Sequence, residues 1–346
     1  MPLSVRPGPA RGILACLMLC AAIVVGDIAH GTDKSQYVGV LTAVPFLAAT
    51  FAGPVAVVAV GAVAWLAGAV IGLTHDDGQA SAQVVRLSLI AVATVLAAVA
   101  ARSRLNRERR LVAVQSAADA ASRAILRPLP PVVAGVPLAV DYVSAFEQAR
   151  VGGDLYEAVD TAYGLRVVVG DVRGKGLDAV RLAAVALGSF REAAHREPDL
   201  DAVAAAMHAA VGRDADPEDF VTALLLEVRA GCVRMLSCGH PHPLVVRGGR
   251  ARVVDMPSGP PLGIGRATGP TEVSLRPGDR LLLYTDGAVE ARRGGVFFPL
   301  DEAAADTLSQ GPLRDGLTAL SKRLRAFAGP GPGDDVAFLV LEMPPR

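Results

Sequence analysis

The chain has 346 residues, enough for two units of ordinary domain size. Lysine plus arginine and aspartate plus glutamate each total 34, so the formal net charge is zero, which excludes the overall electrostatic footprint of a nucleic-acid binder. At 52% hydrophobic, 4% aromatic and 20% charged, the composition is too apolar for an ordinary soluble protein and too polar for one wholly buried in a bilayer.

The charges separate the two kinds of sequence. Residues 1–101 hold eight: Arg6, Arg11, Asp27, Asp33, Lys34, Asp76, Asp77 and Arg86. Residues 12–26, 37–73 and 87–101 carry none, and a crossing needs about 20 apolar residues at about 1.5 Å each. The 37-residue run over 37–73 is nearly twice that length, and Gly53-Pro54 divides it, because a proline inside a helix removes a backbone bond. Four spans are therefore expected, at about 12–29, 37–52, 54–73 and 84–101. A cleaved signal peptide fits the first segment less well, since three more apolar segments follow. Arg6 and Arg11 precede the first span, and Arg102, Arg104, Arg107, Arg109 and Arg110 follow the last, while the loops between hold aspartates. Lysine and arginine collect on the cytoplasmic side, so four crossings place both termini there, in a cell membrane. With no ionisable group at a span centre, anchoring and sensing fit better than transport. Cys16, Cys20, Cys232 and Cys238 form no CxxC and are expected as buried thiols.

Residues 102–127 read as one helix leaving the membrane, with five arginines against Glu108 in its first turns, suited to anionic headgroups. Leu111, Val114, Ala118, Ala121 and Ile125 follow at spacings of three and four, which fits a solvated spacer or a homodimer through this connector. Pro128, Pro130 and Pro131 end it, and a second domain over 128–346 begins.

Short apolar runs bounded by turns then appear at 165–169, 220–228, 242–246, 280–284 and 336–341, with helical patterns over 177–195, 199–212 and 312–328. Many strands with clustered helices predict an α+β domain rather than regular βαβ alternation. Four acidic positions share one form, each expected to close a strand beside glycine or another aspartate: Asp154 after Gly152-Gly153, Asp171 after Gly170, Asp286 before Gly287, and Asp334-Asp335 after Gly333. Any one of them alone is more often turn chemistry. Four in one domain, without histidine or cysteine, are the ligand set of a hard cation that keeps its waters, Mg²⁺ or Mn²⁺. Gly174-Lys175-Gly176-Leu177-Asp178-Ala179 imitates a dinucleotide loop, but Asp171 just ahead would repel a pyrophosphate and no βαβ unit follows. His240 and His242 alternate about Pro241 and so face opposite ways, which favours a structural or site-edge role over zinc.

In order and wording the segment over 125–346 resembles the metal-dependent protein phosphatase (PPM) superfamily, in its bacterial SpoIIE-type branch. Its landmarks are Val151-Gly152-Gly153-Asp154-Leu155-Tyr156, Gly170-Asp171-Val172-Arg173-Gly174-Lys175-Gly176, Phe220-Val221-Thr222-Ala223, Cys238-Gly239-His240-Pro241, Pro261-Leu262-Gly263-Ile264, Tyr284-Thr285-Asp286-Gly287 and Gly333-Asp334-Asp335. The resemblance implies an α/β/β/α sandwich of two antiparallel sheets flanked by helices, and a protein serine/threonine phosphatase using two Mn²⁺ or Mg²⁺ ions. Asp154 and Asp171 would be shared between the metals, with the Val172 carbonyl completing one shell. Asp286 and Asp334 would bind the second ion, Asp335 being the neighbour to exchange for Asp334 if the alignment slips by one. Asp154, Asp171 and Asp286 would thus act catalytically through metal-bound water, with no covalent phosphoenzyme. Gly153 and Gly174 would shape the site, and Arg173 and Lys175 would steer the phosphate. The branch also implies a phosphorylated serine/threonine protein as partner, commonly an anti-sigma-factor antagonist. The rival expectation is a catalytically inactive phosphatase-like membrane sensor that binds a regulatory partner.

Overall fold

The computed structural model describes residues 9–30, 38–74, 80–143, 153–229, 232–267, 269–329 and 335–344. The chain divides into two compact units, Met1–Val112 and Ala113–Arg346.

The first unit is helical: α1 (Pro9–His30), a 3-10 turn (Val38–Thr42), α2 (Ala43–Ala49), α3 (Pro54–Thr74) and the first part of α4 (Ala80–Ile125). Three of these helices are long and apolar enough to cross a membrane, α1, α3 and α4. The segment expected as a second full span is instead the 3-10 turn plus seven-residue α2. Together these rise roughly 20 Å, against about 30 Å of hydrocarbon. The turn at 50–53 and Pro54 stop α2, and Arg104 takes up the carbonyls this leaves open, donating from Nη1 to Thr50 O and from Nη2 to Ala52 O at 3.0 Å.

Small residues set the packing of this unit. Along antiparallel α3 and α4, Gly53 lies beside Leu105, Gly61 beside Thr94 and Gly72 beside Gln83, whose Nε2 donates to Gly68 O at 2.9 Å. Gly12 of α1 abuts the Phe51 ring. The start of α1, the 50–53 turn and Arg104 therefore share one end of the bundle. Outward faces carry large apolar side chains such as Leu14, Met18, Val55, Leu66, Leu73 and Leu96, and the interior is built from Cys16, Cys20, Leu41, Val57, Ala64, Ile71 and Ile90. In the connector, the side chains of Leu111, Val114 and Ala118 lie outside the described residues.

The second unit stacks four layers. Its strands are β1 (Val132–Val133), β2 (Val136–Val143), β3 (Leu155–Thr161), β4 (Gly164–Val172), β5 (Val221–Arg229), β6 (Cys232–Cys238), β7 (Leu244–Arg247), β8 (Arg250–Val253), β9 (Ser258–Gly259), β10 (Thr271–Ser274), β11 (Arg280–Tyr284), β12 (Arg292–Arg293), β13 (Val296–Phe297) and β14 (Val336–Glu342). One large sheet has the order β1-β2-β14-β11-β7-β8 and the other β10-β6-β5-β4-β3, while β12 and β13 form a separate two-stranded ribbon. Pairing is antiparallel in both, apart from two-residue β9, which lies parallel to β6. Helices α5 (Leu177–Arg196) and α6 (Leu200–Asp214) cover the second sheet. Helices α8 (Leu300–Leu308) and α9 (Leu313–Ala328) cover the first, and short α7 (Gly287–Glu290) follows β11.

Central strands are buried on both faces, which is why they read as unbroken apolar runs. In β14, Ala337, Leu339 and Leu341 enter the core between the sheets, while Val336, Phe338 and Val340 meet α8 and α9. In β4, Val167 and Val169 face the other sheet, and Val168 packs under α5 with Leu187 and Phe190. Of the cysteines, Cys232 is half-buried rather than buried, and all four are free thiols.

Candidate metal centre

Antiparallel pairing decides which carboxylates meet. β3 and β4 pair Leu155 with Gly170, so Asp154, ahead of β3, and Asp171, near the finish of β4, belong to one end of their sheet. β11 and β14 pair Tyr284 with Phe338, which brings Asp286 and Asp335 to one end of the other sheet. Thr285 joins these ends, since its Oγ1 donates to Asp154 Oδ2 at 3.2 Å and accepts the Ala337 N–H at 2.8 Å. The expectation that every carboxylate closes an apolar strand holds for Asp171 and Asp286, whereas Asp154 and Asp335 open theirs. In an antiparallel sandwich one end gathers alternate strand starts and finishes, so both kinds of position face a common site.

Electrostatics show the convergence. Asp154 is 4% exposed and Asp335 7% exposed, with Asp171 and Asp286 half-buried. Burial pushes the Asp154 carboxyl well above the usual range, the like charges of Asp171 and Asp335 add to this, and Asp286 adds a little; the Thr285 hydroxyl pulls the other way. Three acids from both sheets thus act on one buried carboxylate.

Two glycines permit the close approach. A side chain at Gly153 would strike the Val172 carbonyl and the Asp171 carboxylate, and one at Gly287 would strike the Asp335 carbonyl. The Val172 N–H donates to Gly153 O at 3.1 Å and fixes this approach, so the Val172 carbonyl and the Asp171 carboxylate both lie against Gly153. Gly174 and Gly176, with φ of 107° and 90°, turn the chain from β4 into α5 in a conformation that other residues rarely adopt. Within this turn Arg173 and Lys175 are exposed, and Arg173 donates to Glu218 O at 2.6 Å with its guanidinium 5.5 Å from the centre of the Phe220 ring.

Among the described residues no group of three or more histidine, cysteine, aspartate or glutamate side chains is closed around a point that would hold a metal ion. Asp334 lies outside the described residues. The donor set nevertheless fits hard divalent cations: several carboxylates gathered at a buried point repel one another until positive charge is placed among them. Thr285 was not singled out as a site residue from the sequence, although Tyr284-Thr285-Asp286 places it one position from a candidate ligand. Nor was Thr222, which pairs with Asp171 across β4 and β5.

Two facing antiparallel sheets between helical layers, with acids gathered at one end, define a PP2C-type phosphatase domain of the PPM class. The family profile described as Stage II sporulation protein E (SpoIIE) matches residues 161–344, more than half of the chain, and the chain belongs to that family. The structure of the RsbU and RsbW domains of Rv1364c from Mycobacterium tuberculosis is similar, with a TM-score of 0.55, 27% identity and coverage of 62% of this chain and 61% of that one. The SiaA PP2C domain of Pseudomonas aeruginosa aligns with a TM-score of 0.58 at 20% identity, over 69% of this chain and 98% of that one. The PP2C phosphatase domain with a fragment of the regulatory domain of SpoIIE from Bacillus subtilis aligns at 0.50 and 14% identity, over 60% of this chain and 64% of that one. This chain thus spans less than two thirds of the first and third of these structures.

Proposed function

We propose that this protein is a membrane-anchored, metal-dependent serine/threonine phosphatase that acts on a cytoplasmic phosphoprotein. The carrying observation is the buried Asp154 carboxylate, on which Asp171, Asp335 and Asp286 all bear. SpoIIE membership supports the class of reaction. The ligands proposed are Asp154, Asp171, the Val172 carbonyl, Asp286 and one of Asp334 or Asp335, for two Mn²⁺ or Mg²⁺ ions. Bound there, such ions would acidify a water and neutralise phosphoryl oxygens during direct displacement. The chain's own residues orient and hold. Thr285 keeps the Asp154 carboxylate in place, Gly153 and Gly287 let the two strand ends close up, and Lys175 and Arg173 at the rim attract the phosphate.

The substrate proposed is a phosphoserine or phosphothreonine on a protein of the anti-sigma-factor-antagonist class. Family membership and the 27% identity to a structure that contains an RsbU domain support this reading. The cytoplasmic placement rests on the arginines at 102–110. Arg11, in the first turn of α1, shares the bundle end of the 50–53 turn and Arg104, which supports a cytoplasmic amino terminus as well, with α2 and its flanking turns returning the chain to that end. Arg6 and the acidic loop residues Asp33, Asp76 and Asp77 lie outside the described residues.

Release of phosphate from p-nitrophenyl phosphate by the full chain in detergent micelles tests the reaction class. Turnover should require Mn²⁺ or Mg²⁺, and Asp171→Asn or Asp286→Asn should lower it by at least about 100-fold, about 2.7 kcal/mol in the barrier. Mn²⁺ binding without turnover would instead favour the inactive sensor.

A further inference from the structure

His240 sits behind the carboxylates, between the two sheets, 3% exposed. Its Nε2 stands 3.1 Å from the Tyr284 carbonyl of β11, and its Nδ1 stands 3.0 Å from the Thr222 hydroxyl of β5. A carbonyl can only accept, so Nε2 carries the ring proton and donates it. Nδ1 is then bare and accepts from Thr222 Oγ1. Burial lowers the imidazole to about 3, so the ring is neutral and one tautomer is enforced. The Asp171 carbonyl lies 3.3 Å from Thr222 Oγ1, but the single hydroxyl proton is already committed to His240. Backbone bonds hold the residue as well: Ser237 Oγ donates to His240 O at 3.0 Å and accepts the His240 N–H at 3.3 Å.

Both ends of this bridge touch the candidate metal centre. Thr222 is the cross-strand partner of Asp171, and Tyr284 is followed directly by Thr285, which holds Asp154, and by Asp286. A buried histidine that merely filled space would be replaced by leucine or phenylalanine at a lower desolvation cost. Here every polar atom of the ring is used, and the two bonds run to different sheets.

Resting on the phosphatase reading above, we propose that Thr222 and His240 form a strut that sets the spacing between Asp171 on one sheet and Asp286 on the other, and so acts as a positioning pair for the two cations. The strut touches neither substrate nor cation. Its removal leaves every carboxylate present but lets the two strand ends drift apart.

Mn²⁺ binding by the full chain in micelles, followed by calorimetry, tests this, with thermal unfolding of the metal-free protein alongside. Thr222→Val keeps the shape and removes the hydroxyl, and it should weaken Mn²⁺ binding about 10-fold to 100-fold. Metal-free unfolding should remain cooperative and fall only by the cost of leaving His240 Nδ1 without its donor, and Thr222→Ser, which keeps the hydroxyl, should restore wild-type affinity. If Thr222→Val does not fold, His240→Gln is measured by the same criteria, since it keeps a donor toward Tyr284 without the enforced geometry. Wild-type affinity in the folded valine or glutamine variant would overturn the strut while leaving the phosphatase reading intact. Absence of Mn²⁺ binding by the wild type itself would overturn both.

Discussion

Asp154 is the residue on which the site turns, and its energetics run opposite to those of an ordinary surface carboxylate. Burial and then the charges of Asp171 and Asp335 raise its folded-state value. A raised carboxyl favours the protonated folded form, so its contribution to stability is present at low pH. That contribution is lost as pH rises from the unfolded value, about 3.9, through the folded one. A divalent cation reverses this sign by favouring the carboxylate. At pH 8 the metal-free Asp154→Asn variant should therefore melt above the wild type, at about 2–4 °C per kcal/mol relieved. The rise in Tm that Mn²⁺ gives the wild type, larger at pH 8 than at pH 6, should vanish in the variant. Scanning calorimetry with and without Mn²⁺ checks both, and a metal-free variant melting below the wild type would contradict the repulsion. The acids themselves were legible in the sequence because each stands beside glycine or another acid. Thr285, Thr222 and the use of His240 were not, because a hydroxyl or imidazole gains its role from the partner across the sandwich, far away along the chain.

At the scale of elements, strands buried on both faces were the easiest to read. The runs at 280–284 and 336–341 match β11 and β14 closely, and the helical patterns match α5, α6 and α9. β6 and β10 are harder, because Arg234 and Glu272 interrupt them, and the two residues pair across the sheet. Another element-level feature is a buried ion pair. Arg166 of β4 is fully buried, donates from Nε to Glu227 Oε2 at 2.9 Å, and reaches the carbonyls of Ala194, Glu197 and Pro198 around the α5–α6 turn. It ties the second sheet to its helical layer. Arg166→Met should cost about 3–5 kcal/mol by leaving Glu227 with only Arg234, 3.9 Å away at the sheet surface, and replacing Glu227 by leucine as well should recover most of that. Denaturant unfolding measures the cycle, and equal losses in the single and double variants would show that the carbonyl contacts, not the pair, carry the stability.

For the whole molecule, the number of crossings and the direction of the chain are separate questions. Among the described residues three helices are long enough to span, yet the start of α1, the 50–53 turn and Arg104 lie at the same end of the bundle. The uncharged run over 37–73, divided at Gly53-Pro54, implied a second span over 37–52. The α-helix starts only at Ala43, after the 3-10 turn, and ends at the turn before Pro54, where the Arg104 guanidinium takes up the Thr50 and Ala52 carbonyls, a contact made 52 or more residues along the chain. Alkaline phosphatase fusions should be active near residues 33 and 77 and inactive at the amino terminus and after residue 110. Activity of the fusion after residue 110 would place the catalytic domain on the opposite face.

By itself the sequence determined that an apolar helical part precedes an α+β domain, and it singled out the acids at 154, 171, 286 and 334–335 as candidate ligands. Hydropathy and turn chemistry are local properties, so they survive in one dimension. Tertiary structure alone decided that strand starts and finishes share one end of the sandwich, that Thr285 and His240 join the two sheets there, and that the turn after α2 lies at the same bundle end as the start of α1. Each of these depends on groups made neighbours by pairing and packing, and no window along the chain contains both partners.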